Sequence, residues 1–297
     1  MLEADAKLVP VTALIIGCGY TGTRLAQNLR ASHAVLAVVR SLVSRSKLQA
    51  QDIATLAIDL DTTTDHWPLA ASQVDNAWLF YLAPPPGAGL SDSRLDRFLR
   101  QIKGRPSVFV YMSTTGVYGN TSGAQVDEST PVNPQTDRAQ RRMSAEHMTR
   151  VWCNENQVRR VVLRVPGIYG PNRIPLVRLQ RGEPFIRLSE AGVTNRIHVD
   201  DLVTTCIAAA SDNEARGVYN VTDGNSMSST EFMRRVATLA NMPAPIELSL
   251  EEARLTLSAE RMSFLDESRR VSNRRMLAEL RVRLQYADVD TGILASL

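Results

Sequence analysis

Short apolar runs alternate along the first two thirds of the chain with longer segments in which apolar positions recur every three or four residues. The runs are VTALII (11–16), AVLAVV (34–39), ATLAI (54–58), AWLFYL (77–82), SVFVYM (107–112) and RVVLRV (160–165). They are β-branched or aromatic and apolar on both faces, the pattern of strands covered on both sides. Between them the spacing predicts helices at about 20–31, 42–51, 91–103 and 137–156. In the last, Ala139, Met143, His147 and Val151 recur four apart and predict the buried face, with His147 as a packing histidine. A further helix at about 200–211 leads into a strand, GVYNV (217–221). Strand–helix alternation implies right-handed crossovers, and hence an α/β fold built on a doubly wound parallel sheet.

Two regions break this rhythm. Residues 166–192 are rich in Pro, Gly and Arg, and the chain from 223 onward reads as mainly helical. The expected organisation is therefore a Rossmann-type dinucleotide-binding domain from 11–165 and 193–222, with a smaller substrate-binding lobe from 166–192 and 223–297. Loops at the carboxyl ends of the strands are where such a sheet places ligands.

The first strand runs into Gly17-Cys18-Gly19-Tyr20-Thr21-Gly22, a GxGxxG that opens a helix. That context gives the glycines work to do. Gly17 permits a tight turn, Gly19 leaves room for a pyrophosphate, and Gly22 lets helix pack on strand. The helix start, with Tyr20 and Thr21, offers N–H groups and partial positive charge to an anion. An NAD site usually carries an acid at the end of the second strand. Here that strand ends in Arg40-Ser41, with Arg45 close by, which suits a 2′-phosphate and favours NADP over NAD. An exposed arginine that merely follows a strand is the competing explanation.

Composition narrows the remaining classes. The net charge is +3, with 44% hydrophobic, 22% charged and 5% aromatic residues. Scattered arginines and few aromatics argue against a nucleic-acid binder. Cys18, Cys153 and Cys206 are far apart, with no CxxC pair, so neither a zinc site nor a disulfide framework is signalled. The opening MLEADAKLVP lacks the apolar core of a secretory signal, and no run reaches the roughly 18 apolar residues of a membrane span. A cytoplasmic protein without a membrane partner is expected, with a homo-oligomer left open.

Later motifs make a specific resemblance. Asp59-Leu60 follows the third strand, and Ser113-Thr114-Thr115-Gly116-Val117-Tyr118-Gly119 the fifth. Arg164-Val165-Pro166-Gly167-Ile168-Tyr169-Gly170-Pro171, Asn195-Arg196-Ile197-His198-Val199-Asp200-Asp201 and Tyr219-Asn220-Val221 come after, in that order. Together they resemble the extended short-chain dehydrogenase/reductase superfamily, the NAD-dependent epimerase/dehydratase family. The resemblance implies that Asp59 and Leu60 flank adenine. It places Ala83 and Pro84 beside the cofactor ribose and phosphates, and Pro166 to Ile168 against the nicotinamide carboxamide. Thr114 would hydrogen-bond the reacting oxygen of the substrate next to the cofactor, and Arg196 would meet a nucleotide-sugar diphosphate.

Two departures mark an atypical branch. The family usually shows GxxGxxG, and Ile16 holds its first glycine position. Its catalytic YxxxK is replaced by Arg138 and Arg142. Arg142 still suits the ribose hydroxyls, but a guanidinium at 138 cannot shuttle a proton. Tyr118, Tyr169 and His147 are the remaining proton carriers, although both tyrosines belong to turn motifs that pack, and Asp127-Glu128 reads as a solvent-facing pair. His198, Asp200 and Asp201 suggest a metal site, but the aspartates are better read as the N-caps and dipole partners of a helix start. Arg173, Arg178, Arg181 and Arg187 read as a solvated face or, since this lobe should cover the substrate, as a phosphate clamp, with Arg173 the substrate-binding candidate. The leading function is an NAD(P)-dependent epimerase/dehydratase- or reductase-like enzyme on a nucleotide-linked or phosphorylated sugar or a similar small molecule. The alternative is a non-catalytic NADP-binding redox sensor.

Overall fold

The computed structural model describes residues 12–62 and 67–297. Val11, with which the first expected strand and domain begin, and the N-terminal ten residues read for a signal lie outside the described residues. The first half follows the expected order: β1 (Ala13–Ile16), α1 (Tyr20–Leu29), β2 (Val35–Val39), α2 (Leu42–Gln49), β3 (Ala54–Ala57), β4 (Trp78–Tyr81), α3 (Ser93–Gln101) and β5 (Val108–Thr114). Next come β6 (Gln125–Val126), α4 (Asp137–Glu155), β7 (Arg159–Val165), β8 (Gly167–Tyr169), α5 (Leu176–Gln180), β9 (Phe185–Ile186) and β10 (Val193–Thr194). Then follow β11 (Arg196–His198), α6 (Val199–Ser211), β12 (Gly217–Asn220), β13 (Met227–Ser228) and α7 (Ser229–Leu239). The chain continues through β14 (Glu247–Leu248), α8 (Leu250–Thr256), α9 (Ala259–Leu265), β15 (Arg270–Val271), α10 (Arg274–Glu279) and α11 (Val289–Leu294).

The central sheet has seven strands in the order β12-β7-β5-β4-β1-β2-β3. The pairs from β5 to β3 are parallel, and their order reverses beside β1, as in a doubly wound Rossmann sheet. The expected fold class is met. Register decides what gathers at one edge: Ile16 lies between Val38 and Tyr81, and Val39 opposite Ala57. The exits of β1 to β4 therefore leave the sheet together. The side chains of β1 are buried on both faces, as a doubly covered strand requires.

The chain forms two compact units, one up to Met112 with Ser144–Val161, the other Ser113–Met143 with Val162–Leu297. In the first, Tyr81 packs against Phe98, Phe109 and Tyr111, and Trp152 against Phe109. In the second, Tyr169, Phe185, Met227, Phe232, Val236 and Ile293 form one core cluster, and Ile186, Ala253 and Met262 another. The tail is mainly helical, as expected, but short strands pin it: β15 pairs with β6, β14 with β9 and β13 with β10.

One expectation fails on α4. Met143, His147 and Val151 are exposed, and the buried stripe is Arg141, Ala145, Thr149 and Cys153. Of the predicted four only Ala139 is buried. Ala145 and Thr149 are compact enough to bring the helix close to its neighbours, so size selected the face that hydropathy misplaced. His147 sits in solvent, its Nδ1 3.1 Å from an Arg150 guanidinium nitrogen.

Candidate functional site

The glycine loop is fixed by the edge it leaves. The N–H groups of Gly17 and Cys18 both donate to Val38 O, at 3.0 and 3.1 Å, and Leu82 N donates to Ile16 O at 2.8 Å. Gly17 sits at φ +85°, and a Cβ there would lie 2.5 Å from the Cα and N of Ala83. Only glycine fits that turn. A Cβ on Gly22 would press on Gly17 O at 3.2 Å and Ile15 Cγ2 at 3.3 Å, so this residue sets the approach of α1 to β1. Gly19 differs: a Cβ there would meet nothing within 4 Å. It is also the N-cap of α1 and brings no side-chain hydrogen bond to the helix start. Thr21 and Gly22, in the first turn, have no intrahelical acceptor for their N–H groups. Cys18 is buried, its thiol pushed up to about 11 by burial.

Arg40 is exposed where β2 ends. Ser41 caps α2, accepting from Ser44 N at 3.2 Å and donating to Ser44 Oγ at 3.1 Å. Arg45 is half-buried, its Nε without a hydrogen-bond partner among the described residues. Beyond β3, Asp59 Oδ1 accepts from Asp61 N at 2.9 Å, and Leu60 is buried, its carbonyl taking Arg97. Beyond β4, Ala83 is buried and Pro84 exposed. Arg94, on α3, joins these exits. Its Nε donates to Asp61 Oδ1 at 2.7 Å and its Nη2 to Oδ2 at 2.5 Å, while Nη1 reaches the carbonyls of Pro84 and Pro85 at 3.0 and 3.2 Å. The hydrogen bond from Arg94 holds the Asp61 carboxyl below its ordinary range.

In the second unit, Thr114 is half-buried, and its hydroxyl accepts from Gly116 N at 3.2 Å, capping the 3₁₀ turn 115–118. Tyr118 is buried under Arg164, which lies 4.8 Å from the ring centre, and donates its hydroxyl to Asn220 Oδ1 at 2.9 Å. Burial raises its pKa above the usual phenol value. Tyr169 is also buried, its Oη has no hydrogen-bond partner among the described residues, and burial pushes its pKa far up. Neither phenol is poised to exchange protons near neutrality.

Arg138 is fully engaged. Its guanidinium donates to Ser263 Oγ at 2.6 Å, Ser263 O at 2.9 Å and Glu267 Oε1 at 2.9 Å, and lies 3.7 Å from the centre of the Phe264 ring. Glu267 also takes Arg269, which reaches on to Gly119 O. Arg142, one turn on, is half-buried, as are Pro166 and Ile168. Arg173, Arg181 and Arg187 are exposed. Arg178 pairs with Glu183 at 2.9 Å.

Arg196 is buried, its donors going to Thr194 Oγ1 at 2.9 Å, Ser228 O at 3.1 Å and Met227 O at 3.4 Å, with its guanidinium 4.3 Å from the Phe232 ring centre. Burial pushes its pKa down to about 10. This guanidinium braces backbone. The start of α6 also differs from expectation: the cap is the imidazole of His198, whose Nδ1 accepts from Asp200 N at 3.2 Å. Asp201 is buried and accepts from Gln285 N at 2.7 Å and Tyr286 N at 3.0 Å. Glu128 accepts from Asn220 N at 2.7 Å, and Asp127 closes a turn through Ser129 and Thr130.

Sequence reasoning missed Arg94 and Asp223. Asp223 is buried with Oδ1 accepting from Asn225 N at 2.8 Å and Oδ2 without a hydrogen-bond partner among the described residues, and burial pushes it up to about 7. An arginine in an amphipathic helix and an aspartate in a turn carry no signal of such partners. Among the described residues no group of three His, Cys, Asp or Glu side chains could hold a metal ion, and no helix is long and apolar enough to cross a membrane.

Comparison with known proteins meets the family resemblance. Residues 94–222 match the NAD dependent epimerase/dehydratase family. The dTDP-D-glucose 4,6-dehydratase of Mus musculus is 23% identical over 139 residues, 44% of this chain and 39% of that protein. The Homo sapiens protein of the same name is 22% identical over 143 residues, 46% and 41% of the two chains. The matched region thus spans about two fifths of the length of these relatives. A conserved protein of unknown function from Silicibacter pomeroyi DSS shares the fold with a TM-score of 0.80 and 28% identity, over 96% of this chain and 97% of its own. UDP-glucuronic acid 4-epimerase from Bacillus cereus, solved with NAD, has a TM-score of 0.73 at 16% identity over 96% of each chain. MoeE5, solved with UDP-glucose and NAD, has 0.74 at 21%, again over 96% of each. At such identities the last two show the fold alone.

Proposed function

From the match of residues 94–222 to the NAD-dependent epimerase/dehydratase family, we propose that the chain binds a nicotinamide dinucleotide, NADP in preference to NAD. Its second ligand is a nucleotide-linked or phosphorylated sugar or a similar small molecule. The observation that carries the reading is Gly19. Packing within the chain demands glycine at 17 and disfavours a side chain at 22, but among the described residues no neighbour crowds position 19, where a Cβ would stand in open space beside the uncapped start of α1. A diphosphate approaching the N–H groups of Thr21 and Gly22 would occupy that open space. Exposed Arg40 suits a 2′-phosphate. Solved neighbours of this fold hold NAD, and one of them UDP-glucose.

When bound, the nicotinamide supplies a hydride donor or acceptor. The chain's own part is less ordinary. Thr114 keeps a hydroxyl proton to offer a substrate oxygen, because its known bond uses the oxygen as acceptor. Arg142 suits ribose hydroxyls. Arg138 is tied to Ser263 and Glu267 and offers only donors, with no atom to accept a proton. That engagement also favours a second reading, an NADP-binding sensor without turnover.

Titration of the protein with NADP and NAD tests the binding reading. NADP is expected to bind more tightly, and Arg40→Ala to weaken NADP selectively by about tenfold, from a charge-assisted contact of about 1.5–3 kcal/mol. Gly19→Val is expected to lose both dinucleotides with an unchanged melting temperature. Wild-type affinity in Gly19→Val would overturn the site, and equal loss of both cofactors in Arg40→Ala would overturn the preference. Turnover of nucleotide sugars by the wild type separates enzyme from sensor.

A further inference from the structure

We infer that Arg94 is a positioning residue that closes the rim around the glycine loop and cancels the charge of Asp61, so that the adenosine end of the dinucleotide meets a shaped and net cationic mouth. This inference rests on the binding reading above and adds to it a determinant on a helix that the loop motif does not include.

The geometry begins with strand order. β3 and β4 are separated in the sheet by β1 and β2, so at about 4.8 Å per strand their exits start roughly 14 Å apart. Between them emerge the glycine loop and Arg40. Both outer exits nevertheless converge on one guanidinium. Asp61, four residues past β3, takes Nε and Nη2, and the carbonyls of Pro84 and Pro85, just past β4, take Nη1. Arg97, one turn along α3, fixes the same β3 exit through Leu60 O. The β4 exit is itself a wall of the loop, since the backbone of Ala83 lies where a Gly17 Cβ would stand. The β3 exit is tied to the end of β2 by Ile58 N donating to Val39 O at 2.7 Å. Arg94 thus joins the two outer sides of a rim whose inner members are the loop and Arg40.

Charge adds to shape at this rim. Arg40 and Arg97 both act electrostatically on Asp61, but Arg94 is its hydrogen-bonded partner. With Arg94 in place the carboxylate is engaged in a two-bond pair, and exposed Arg40 forms no ion pair among the described residues. Without Arg94 the carboxylate would draw on Arg40 and repel an anionic ligand. A lysine cannot replace it, because an ammonium does not span a carboxylate and two carbonyls in one plane.

The test is equilibrium binding of NADP, NAD, 2′,5′-ADP and 5′-AMP to the wild type, Arg94→Ala, Arg94→Lys and the double variant Arg94→Ala/Asp61→Asn, each checked by thermal melting. Arg94→Ala is expected to weaken NADP at least tenfold and to lower the preference for 2′,5′-ADP over 5′-AMP. Arg94→Lys should recover little of the affinity. The double variant should recover the preference but not the full affinity, because the charge is removed while the rim stays open. A purely structural role would lower the melting temperature without moving the ratio of the two adenosine fragments. Wild-type affinities and ratio in Arg94→Ala, with the wild type binding NADP, would overturn this inference alone. A wild type that binds neither dinucleotide would overturn the binding reading and this inference with it.

Discussion

Two arginine–aspartate neighbourhoods in this protein behave in opposite ways. In the first unit Arg94 and Asp61 form a two-bond pair at the surface, with side chains 17% and 43% exposed. Asp61 is held down by its partner. In the second unit Arg196 and Asp223 are 7% and 5% exposed; Asp223 N donates to Arg196 O at 2.8 Å, but their side chains influence each other without a hydrogen bond between them. Arg196 spends its donors on Thr194, Met227 and Ser228, while one Asp223 oxygen has no hydrogen-bond partner among the described residues. Burial is the first cause of both shifts there, moving Asp223 up to about 7 and Arg196 down to about 10. The same two residue types thus give contrary pKa shifts, and the difference lies in water. Where solvent remains, a direct partner decides; where it is excluded, desolvation exceeds the Coulomb attraction.

The contrast is broken most severely at Arg196. Arg196→Met should cost about 3 kcal/mol or more, because it strands the oxygens of Thr194, Met227 and Ser228 that the guanidinium satisfies, at about 1–3 kcal/mol for each one left buried. Arg94→Ala should cost at most about 1 kcal/mol of stability, as exposed pairs do. Urea unfolding of both variants measures this, and a larger loss for Arg94→Ala would reverse the comparison.

The pH dependence of stability comes next. Asp223 is protonated in the folded protein up to about 7, whereas the unfolded chain releases that proton near the ordinary carboxylate value. Its contribution is fully present below about 4 and is lost as pH rises toward 7, in total roughly 2–4 kcal/mol. Asp61 has the opposite sign: its contribution is present above the ordinary value and lost as pH falls through the lowered one. Asp223→Asn should flatten the fall in stability between pH 4 and 7. Unfolding curves across that range that match the wild type would refute the assignment.

The smallest expected effect belongs to a neutral buried pair, which lies between the two extremes. Tyr118→Phe removes the hydroxyl donated to Asn220 and should cost about 1 kcal/mol. Its dinucleotide affinity, and any turnover, should stay at wild-type level. A large loss of turnover with intact binding would make Tyr118 the proton carrier.

Much of the fold was legible because it rests on local signals. Runs such as VLAVV and WLFY are apolar on both faces wherever a strand is doubly covered, and the observed strand and helix ends lie within two residues of the expected ones. Gly17 and Gly22 were legible for the same reason, since a turn and a close packing contact both exclude a side chain. What escaped depends on partners distant along the chain. The helix position of Arg138 gave no hint that Ser263 and Glu267 would claim it. Arg94 reads as one more charge on an amphipathic helix until Asp61, Pro84 and Pro85 are seen around it. On α4 the apolar residues at 143 and 151 outweighed Ala145 and Thr149 in a reading by hydropathy, yet close packing favoured the smaller pair. His198 was passed over as a cap because hydroxyls and carboxylates usually serve.

Asp201 has a consequence for motion. Its buried carboxylate accepts the N–H groups of Gln285 and Tyr286, in a stretch that is neither helix nor strand. Backbone of that kind ordinarily trades its amide hydrogens with solvent quickly. Here those two hydrogens leave only when the grip on them opens, so they time a local opening of the tail rather than the looseness of a loop. Two slow amides in an irregular stretch would make an internal clock for the second unit.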